Sequence, residues 1–327
     1  MNFIKKIVAI SKQLNAVKGI DIMYSMTTNA TLIFKYIGFL VENKFQLLVS
    51  LDGNEMNHSY RVFKKNAKNS FQKVIENLDM IQRDYPEYFS ANVNFNAVLH
   101  NRNSVKEIYK FIYSQYKKIP RIAELNTRDI RPDNQDEIER MFNSKWKSEI
   151  EYQNENSELS HITHSYSSSY KELTDFLKYL SINYYISKLN TLLAVSENYL
   201  PTSTCTPFSK KIFLTTQNTL LPCEKINYKY SMGKVNKKIE IDIQEITQQY
   251  NFYYDIFKKV CQSCYGYRFC GACLFQINNL DNVNMEEFVC DRFQDQLAFK
   301  NKLHRIFSFL ENYPNDFSQI LEHVILE

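Results

Sequence analysis

Seven cysteines occur in 327 residues, and every one lies at or after Cys205. Four fall in the run CQSCYGYRFCGAC, where Cys261, Cys264, Cys270 and Cys273 stand three, six and three positions apart; Cys205, Cys223 and Cys290 stand alone. A disulfide framework needs paired thiols, an oxidising compartment and usually a shorter chain. Thiolates separated by two to five residues can instead turn a loop around a soft metal ion or a metal cluster. Metal binding therefore constrains this chain more tightly than any hydrophobic pattern does. It also divides a cysteine-free front from a cysteine-bearing back.

Zinc takes four ligands and favours paired CX2C knuckles, so spacing alone leaves a zinc site open. Four thiols packed this closely are nevertheless awkward for one tetrahedral ion. The alternative follows two-cluster ferredoxin logic, in which the last cysteine of a compact run ligates the neighbouring cluster. On that logic Cys261, Cys264 and Cys270 hold one cluster, completed by a distant thiol such as Cys290. Cys273 then joins Cys205 and Cys223 around a second. Gly266 and Gly271 are two of only six glycines in the protein, and they suit loops whose amides approach sulfur closely. Tyr265, Tyr267 and Phe269 are the expected dry shell.

The front alternates strand and helix patterns. Residues 19–26 (GIDIMYSM), 45–50 (FQLLVS), 91–99 (ANVNFNAVL) and 119–126 (IPRIAELN) read as strands, whereas residues 31–43, 61–83 and 104–118 read as helices. Strands separated by helical segments of this length predict βαβ units and a parallel sheet. Function in such sheets sits at the carboxyl ends of the strands, here TTN, SLDG and the segment after Leu99. The chain opens on a helical pattern with no strand before it, and four parallel strands leave a long open edge. The front is therefore expected to be a sector of a barrel.

Three divisions follow: a partial barrel over 1–130, a polar linker and helical connector over 131–200, and a cysteine-rich domain with closing helices over 201–327. His161 and His164 have helical metal spacing without supporting context. A net charge of +4 is too balanced to mark a nucleic-acid-binding protein. No run approaches 18 apolar residues, and IVAI near the start is too short for a signal peptide, so no membrane span is expected and a cytoplasmic location is the default.

The order C–X17–C, then the compact four-thiol run, then a distant C resembles the SPASM domain of radical SAM enzymes that modify ribosomally made peptides. The front agrees: TTNATL resembles that family's TTNGTL, and SLDGNEMNHSYRVFKK resembles its SLDGP…H…YRVF segment. Where the family usually has Gly five residues before its second cysteine, this chain has Asn218, the next best residue for a left-handed backbone. The implied fold is α/β: a partial radical SAM (β/α) barrel, a helical connector and a small SPASM domain. The resemblance implies two [4Fe–4S] clusters, auxiliary cluster I on Cys205, Cys223 and Cys273, and auxiliary cluster II on Cys261, Cys264, Cys270 and Cys290. Thr202, Ser203 and Thr204 stand where some members have a further cysteine, which implies an open or otherwise filled iron on cluster I.

One part of the family pattern is missing. No CX3CX2C motif and no GGEP strand end occur in this sequence, so the catalytic cluster that binds S-adenosylmethionine has no ligands here. On the order of 60–100 residues would carry those features, at roughly 30 per βαβ unit. Ser50 and Arg61 match positions that resemble the family's S-adenosylmethionine contacts, although SYR shortens the spacing between them by one residue. Glu224 occupies the place of an acidic proton acceptor in some relatives. The resemblance thus implies a peptide maturase that cannot cleave S-adenosylmethionine without a supplied N-terminal part, acting on a ribosomally made precursor peptide. A non-catalytic protein that presents a peptide or relays electrons for a second maturase or reductant protein is the alternative.

Overall fold

The computed structural model describes residues 1–127, 130, 132–154, 157–180, 204–205, 207–209, 211–267, 270, 272–277, 280, 290–316, 318 and 320. The chain divides into two compact units, Met1–Ser168 and Ser169–Glu327. The connector expected over 131–200 is thus split, and its first part, to Ser168, packs with the front unit.

The first unit begins with helix α1 (Asn2–Lys18). It continues with strand β1 (Ser25–Thr28), helix α2 (Ile37–Glu42), strand β2 (Gln46–Ser50), helices α3 (Phe71–Asp84) and α4 (Pro86–Asn92), strand β3 (Val93–Leu99), helix α5 (Val105–Tyr116) and strand β4 (Arg121–Glu124). Short helices α6 (Gln135–Met141), α7 (Lys145–Gln153) and α8 (Glu158–Thr163) follow. All strand pairs are parallel and the sheet order is β1-β2-β3-β4, as the alternation of elements requires. The helical pattern over 61–83 becomes a helix only from Phe71; the preceding turns wrap the end of β2. Residues 19–26 yield a strand only at its carboxyl end.

One face of the sheet is packed and the other is open. Leu47, Val49, Val93, Phe95, Ala97 and Leu99 are buried against Val74, Leu78 and Ile81 of α3 and Ile108 and Ile112 of α5. Phe95 stacks on Tyr116 at 5.1 Å, which adds aromatic contact to its area burial. On the opposite face the register aligns Thr27 with Leu48 and Asn94, and Ser50 with Asn96 and Arg121. Thr27, Asn94 and Arg121 on that face are exposed.

The TTN turn after β1 carries strain. Ala30 has φ 56° and is fully buried, in the place of the glycine in TTNGTL. A left-handed backbone costs an alanine about 1–2 kcal/mol. Asn77 of α3 holds the turn by donating its Nδ2 to Ala30 O at 2.7 Å and to Thr31 O at 3.2 Å.

The second unit opens with α9 (Ser168–Leu180), which packs Leu173 and Leu177 against Ile306 and Phe309 of α11 (Gln296–Asn312). Arg305 forks onto Glu172 at 2.8 and 3.1 Å. Between them lie strands β5 (Phe213–Leu214), β6 (Thr219–Leu221), β7 (Gly233–Val235) and β8 (Ile239–Glu240), which form an antiparallel meander. A 19-residue helix, α10 (Ile243–Cys261), follows. Neither the meander nor α10 is evident from the sequence patterns. Asn218, at the β5–β6 turn, has φ 61°, the left-handed conformation expected at that position. Of the helical connector expected up to residue 200, the structure describes residues only to Leu180, and residues 317, 319 and 321–327 at the end of the chain lie outside the described residues. Among the described residues no helix is long and apolar enough to cross a membrane.

Replacing Asn77 by Ala should lower stability by about 2 kcal/mol, because two carbonyls lose their donor. Ala30→Gly in that background should recover part of the loss by relieving the left-handed strain. Denaturant midpoints of the single and double variants check this; equal midpoints for the wild type and Asn77→Ala would show that the clamp does not matter.

Candidate metal centre

All seven cysteines are free thiols at intermediate exposure. Their mutual electrostatic influence sorts them into two sets. Cys261 is acted on by Cys270, Cys290 and Cys264; Cys290 by Cys270 and Cys264; and Cys270 by Cys264. Cys273 is acted on by Cys223 and Cys205. Burial, with neighbouring thiols adding to it, pushes Cys261 up to about 12 and raises Cys270, Cys273 and Cys290. Without a cation these sulfurs are therefore neutral, and binding a metal would release their protons.

Backbone amides approach the sulfurs in a repeated way. Ala272 N–H reaches Cys270, Phe275 N–H reaches Cys273, and Arg292 N–H reaches Cys290, each from two residues on. Gln294 N–H donates to Cys264 Sγ at 3.3 Å across a longer loop. Such donors stabilise thiolate character and tune whatever the thiolates hold. Gly266 fits this close approach, since a Cβ there would stand 3.2 Å from the Gln294 side chain and 3.4 Å from Cys264 Sγ. Gly271 lies outside the described residues.

A cavity of about 470 Å³ opens among Cys264, Cys270, Cys273, Arg292, Gln294 and Lys302. Gln294 Oε1 is buried at its rim without a hydrogen-bond partner. Among the described residues no three His, Cys, Asp or Glu side chains are close enough to hold a single metal ion. A cluster places each thiolate on a different iron and so spaces its ligands more widely than one ion does. Thiol-lined space and an amide donor aimed at the Cys264 sulfur suit a thiolate-held metal.

The dry shell is not where the local sequence suggests. Tyr265 is half exposed and leans on Phe299 at 6.0 Å, and Phe269 lies outside the described residues. The apolar wall comes instead from α10 and the turn after Cys273. Tyr250, Phe257, Leu274 and Phe275 are buried in one cluster with Cys223, Cys261, Cys273 and Cys290 packed against it. Thr204 has a role beyond filling a cysteine's place: its Oγ1 accepts from Leu274 N–H at 2.8 Å and its hydroxyl bonds Cys273.

The first unit contributes a second polar constellation, at the carboxyl edge of its sheet. Ser50 ends β2 and is buried. Arg61 does not reach freely toward a ligand. Its Nε and Nη2 donate to Asp52 at 2.6 and 2.9 Å, and Asp52 Oδ1 also accepts from Val98 N–H at 2.8 Å. Asp52 N–H donates to His58 Nδ1 at 3.3 Å, so the neutral imidazole carries its proton on Nε2, which faces Ser70 Oγ at 3.2 Å. Asn103 Nδ2 donates to Asp52 O at 3.1 Å. Gly53, with φ 118°, makes the turn possible, since a Cβ there would lie 2.6 Å from Asn57 Oδ1. The sequence places Asp52 in SLDG at the end of a strand; its clamp on Arg61 needs the turns over 53–60 to be in place.

Burial pushes the His58 imidazole down to about 4, with Arg61 and His100 adding to the effect and Asp52 opposing it. Burial lowers His100 as well. Glu224, beside Cys223, is exposed and pairs with Lys211 at 3.2 Å. Its own amide N–H, with Lys211, holds its carboxyl below the usual range. It is thus a carboxylate at neutral pH, but a weaker base than an unpaired one.

No protein-family model matches this chain. Over 117 residues it is 32% identical to a cysteine-type anaerobic sulfatase-maturating enzyme of Clostridium novyi (strain NT), a match covering 35% of this chain and 30% of that relative. The chain is similar to radical SAM maturases. Solved structures agree in fold. Native anSMEcpe with bound AdoMet and a Kp18Cys peptide matches 99% of this chain and 81% of its own at a TM-score of 0.54 and 17% identity. Native anSMEcpe with bound AdoMet matches 99% and 80% at 0.56 and 16%.

Two outcomes follow from this geometry. Above pH 6.5 His58 is neutral whether the chain is folded or not; between 6.5 and 4 only the unfolded chain takes up its proton. Stability of the first unit should therefore fall by about 3 kcal/mol as pH drops through that window. Urea midpoints against pH should show the fall, and His58→Asn should flatten it. Separately, the double variant Cys264→Ala/Cys270→Ala and the single variant Cys205→Ala, each leaving two thiols in its set, should each remove about half of the bound iron after anaerobic reconstitution. Loss of all iron in both variants, measured by metal analysis, would mean that the thiols do not form two separate sets.

Proposed function

We propose that this chain is the iron–sulfur-bearing part of a radical SAM/SPASM peptide maturase. Cys261, Cys264, Cys270 and Cys290 hold one [4Fe–4S] cluster, and Cys205, Cys223 and Cys273 hold three irons of another. The cysteine order supports the reading, together with the packing of Cys223, Cys261, Cys273 and Cys290 against one buried aromatic cluster. The substrate is a ribosomally made peptide, in keeping with the peptide bound by anSMEcpe. In such enzymes the catalytic cluster with S-adenosylmethionine supplies a 5′-deoxyadenosyl radical that removes a hydrogen atom from a peptide side chain.

What this chain's own residues contribute is support and electrostatics. The open sheet face, with Thr27, Asn94, Asn96 and Arg121, offers polar groups to a peptide. Ser50 and the Asp52–Arg61 fork shape the edge at which S-adenosylmethionine sits, and Arg61 reaches a ligand only by loosening that fork. Glu224 accepts a proton next to the three-thiol set. This sequence contains no CX3CX2C, so the residues that would hold that cluster lie outside it. Among the described residues β1 pairs only with β2, and Phe3, Ile7, Ile10, Leu14 and Val17 leave an apolar stripe exposed on α1, so further βα elements have an edge and a face to add to.

The bidentate engagement of Arg61 by Asp52 favours a second reading, in which the protein never binds S-adenosylmethionine and presents a peptide or relays electrons for a partner maturase. The genomic sequence upstream of the Met1 codon separates the two, because an in-frame CX3CX2C and GGEP support the first and an adjacent stop codon the second. Anaerobic reconstitution should give about eight irons and matching sulfide per chain. Zinc at one or two per chain with no visible absorbance would sink both. With S-adenosylmethionine and a reductant, this chain alone should form no 5′-deoxyadenosine.

A further inference from the structure

The three-thiol set leaves one iron of a four-iron cluster without a cysteine, and among the described residues three oxygen donors near Cys205, Cys223 and Cys273 bear on it. Glu224 is turned out to solvent and paired with Lys211. The Thr204 hydroxyl is engaged by Leu274 N–H and Cys273, and an aliphatic alcohol ionises far less readily than a phenol. Tyr250 is different. It lies on the inner face of α10, is 6% exposed, and belongs to the buried cluster against which Cys223 and Cys273 pack. Its one hydrogen-bond contact is Met232 Sδ at 4.0 Å, the far limit for a weak sulfur acceptor. A phenol this buried ordinarily finds a full-strength partner.

The ring cannot easily turn away. It is held edge-on to Phe275 at 5.1 Å and tilted against Tyr254 at 6.2 Å. Phe275 is the residue whose N–H bonds Cys273, so the phenol and that sulfur share one support. Met232 N–H donates to Leu220 O at 2.8 Å, which ties the other side of the hydroxyl to β6, just before Cys223.

We propose that Tyr250 is the fourth protein ligand of the three-thiol cluster, its phenol oxygen taking the iron that Cys205, Cys223 and Cys273 leave open. Tyrosinate is an established donor to protein-bound iron. Coordination forms one Fe–O bond, releases the phenolic proton to solvent and changes no oxidation state. A bound cation inverts the local balance that otherwise keeps a phenol among thiols protonated. The inference rests on the two-cluster reading above.

The test uses the full chain, reconstituted anaerobically, with its iron counted first. Resonance Raman spectra excited in the cluster absorption are then compared for wild type grown with and without ring-deuterated tyrosine, Tyr250→Phe and Tyr254→Phe. Tyrosinate ring vibrations should appear in the wild type, shift with the label, persist in Tyr254→Phe and vanish in Tyr250→Phe. Iron should stay near eight in Tyr250→Phe, because three thiols still hold that cluster. Eight irons without tyrosinate bands in the labelled wild type would overturn the ligand assignment whether or not the variant folds, as would bands that survive in Tyr250→Phe. Failure of the wild type to take up iron would overturn the two-cluster reading itself.

Discussion

Backbone N–H groups pointing at sulfur are the constraint on which the second unit depends. The amides two residues on favour the thiolate forms of Cys270, Cys273 and Cys290, and Cys264 accepts from Gln294 N–H at 3.3 Å, thirty residues away. An amide that close to sulfur demands a tight local turn, so the chain between cysteines cannot be regular helix or strand. This explains why short turns replace regular elements between Cys261 and Ile277 among the described residues. Most of what surrounds them serves to hold those turns: α10 below, the β5–β8 meander on one side, and the turn at 290–295 leading into α11.

Helix α10 is the element that relates the two thiol sets. Tyr250 lies in the buried cluster against which Cys223 and Cys273 pack, and Cys261 is the helix's last residue. Eleven residues of α-helix rise about 16 Å. The helix therefore acts as a ruler as well as a wall, and its buried Tyr and Phe residues keep water from the sulfurs on that side. Potential and solvent access of thiolate-held metal depend on such a wall and on the amide donors together.

In the first unit, Asp52 plays the comparable organising part. One carboxylate receives the Arg61 fork and a β3 amide, while its own backbone groups engage His58 and Asn103. Desolvating a carboxylate this far is tolerable only with such complete hydrogen bonding. The result is a stiff edge where parallel sheets present function. Four strands in sequential order, their helices, and the motifs at their carboxyl ends were all readable from alternation and turn chemistry. The length of β1, the late start of α3 and the engagement of Arg61 were not, because each depends on contacts across dozens of residues. Ala30 illustrates the same division: nothing local announces a left-handed alanine, which the Asn77 clamp holds in place from α3.

The cysteine order by itself pointed to metal binding in the back half and to a division of the thiols, since ligand identity and spacing are properties of the sequence. The front's strand–helix alternation likewise determined a parallel sheet, because period and turn residues are local. Tertiary structure alone decided which side chains wall the thiols, and that Tyr265 stands outside that wall while Tyr250 stands within it. Those are matters of which residues, distant in the chain, come to share one desolvated space, and no local pattern encodes that.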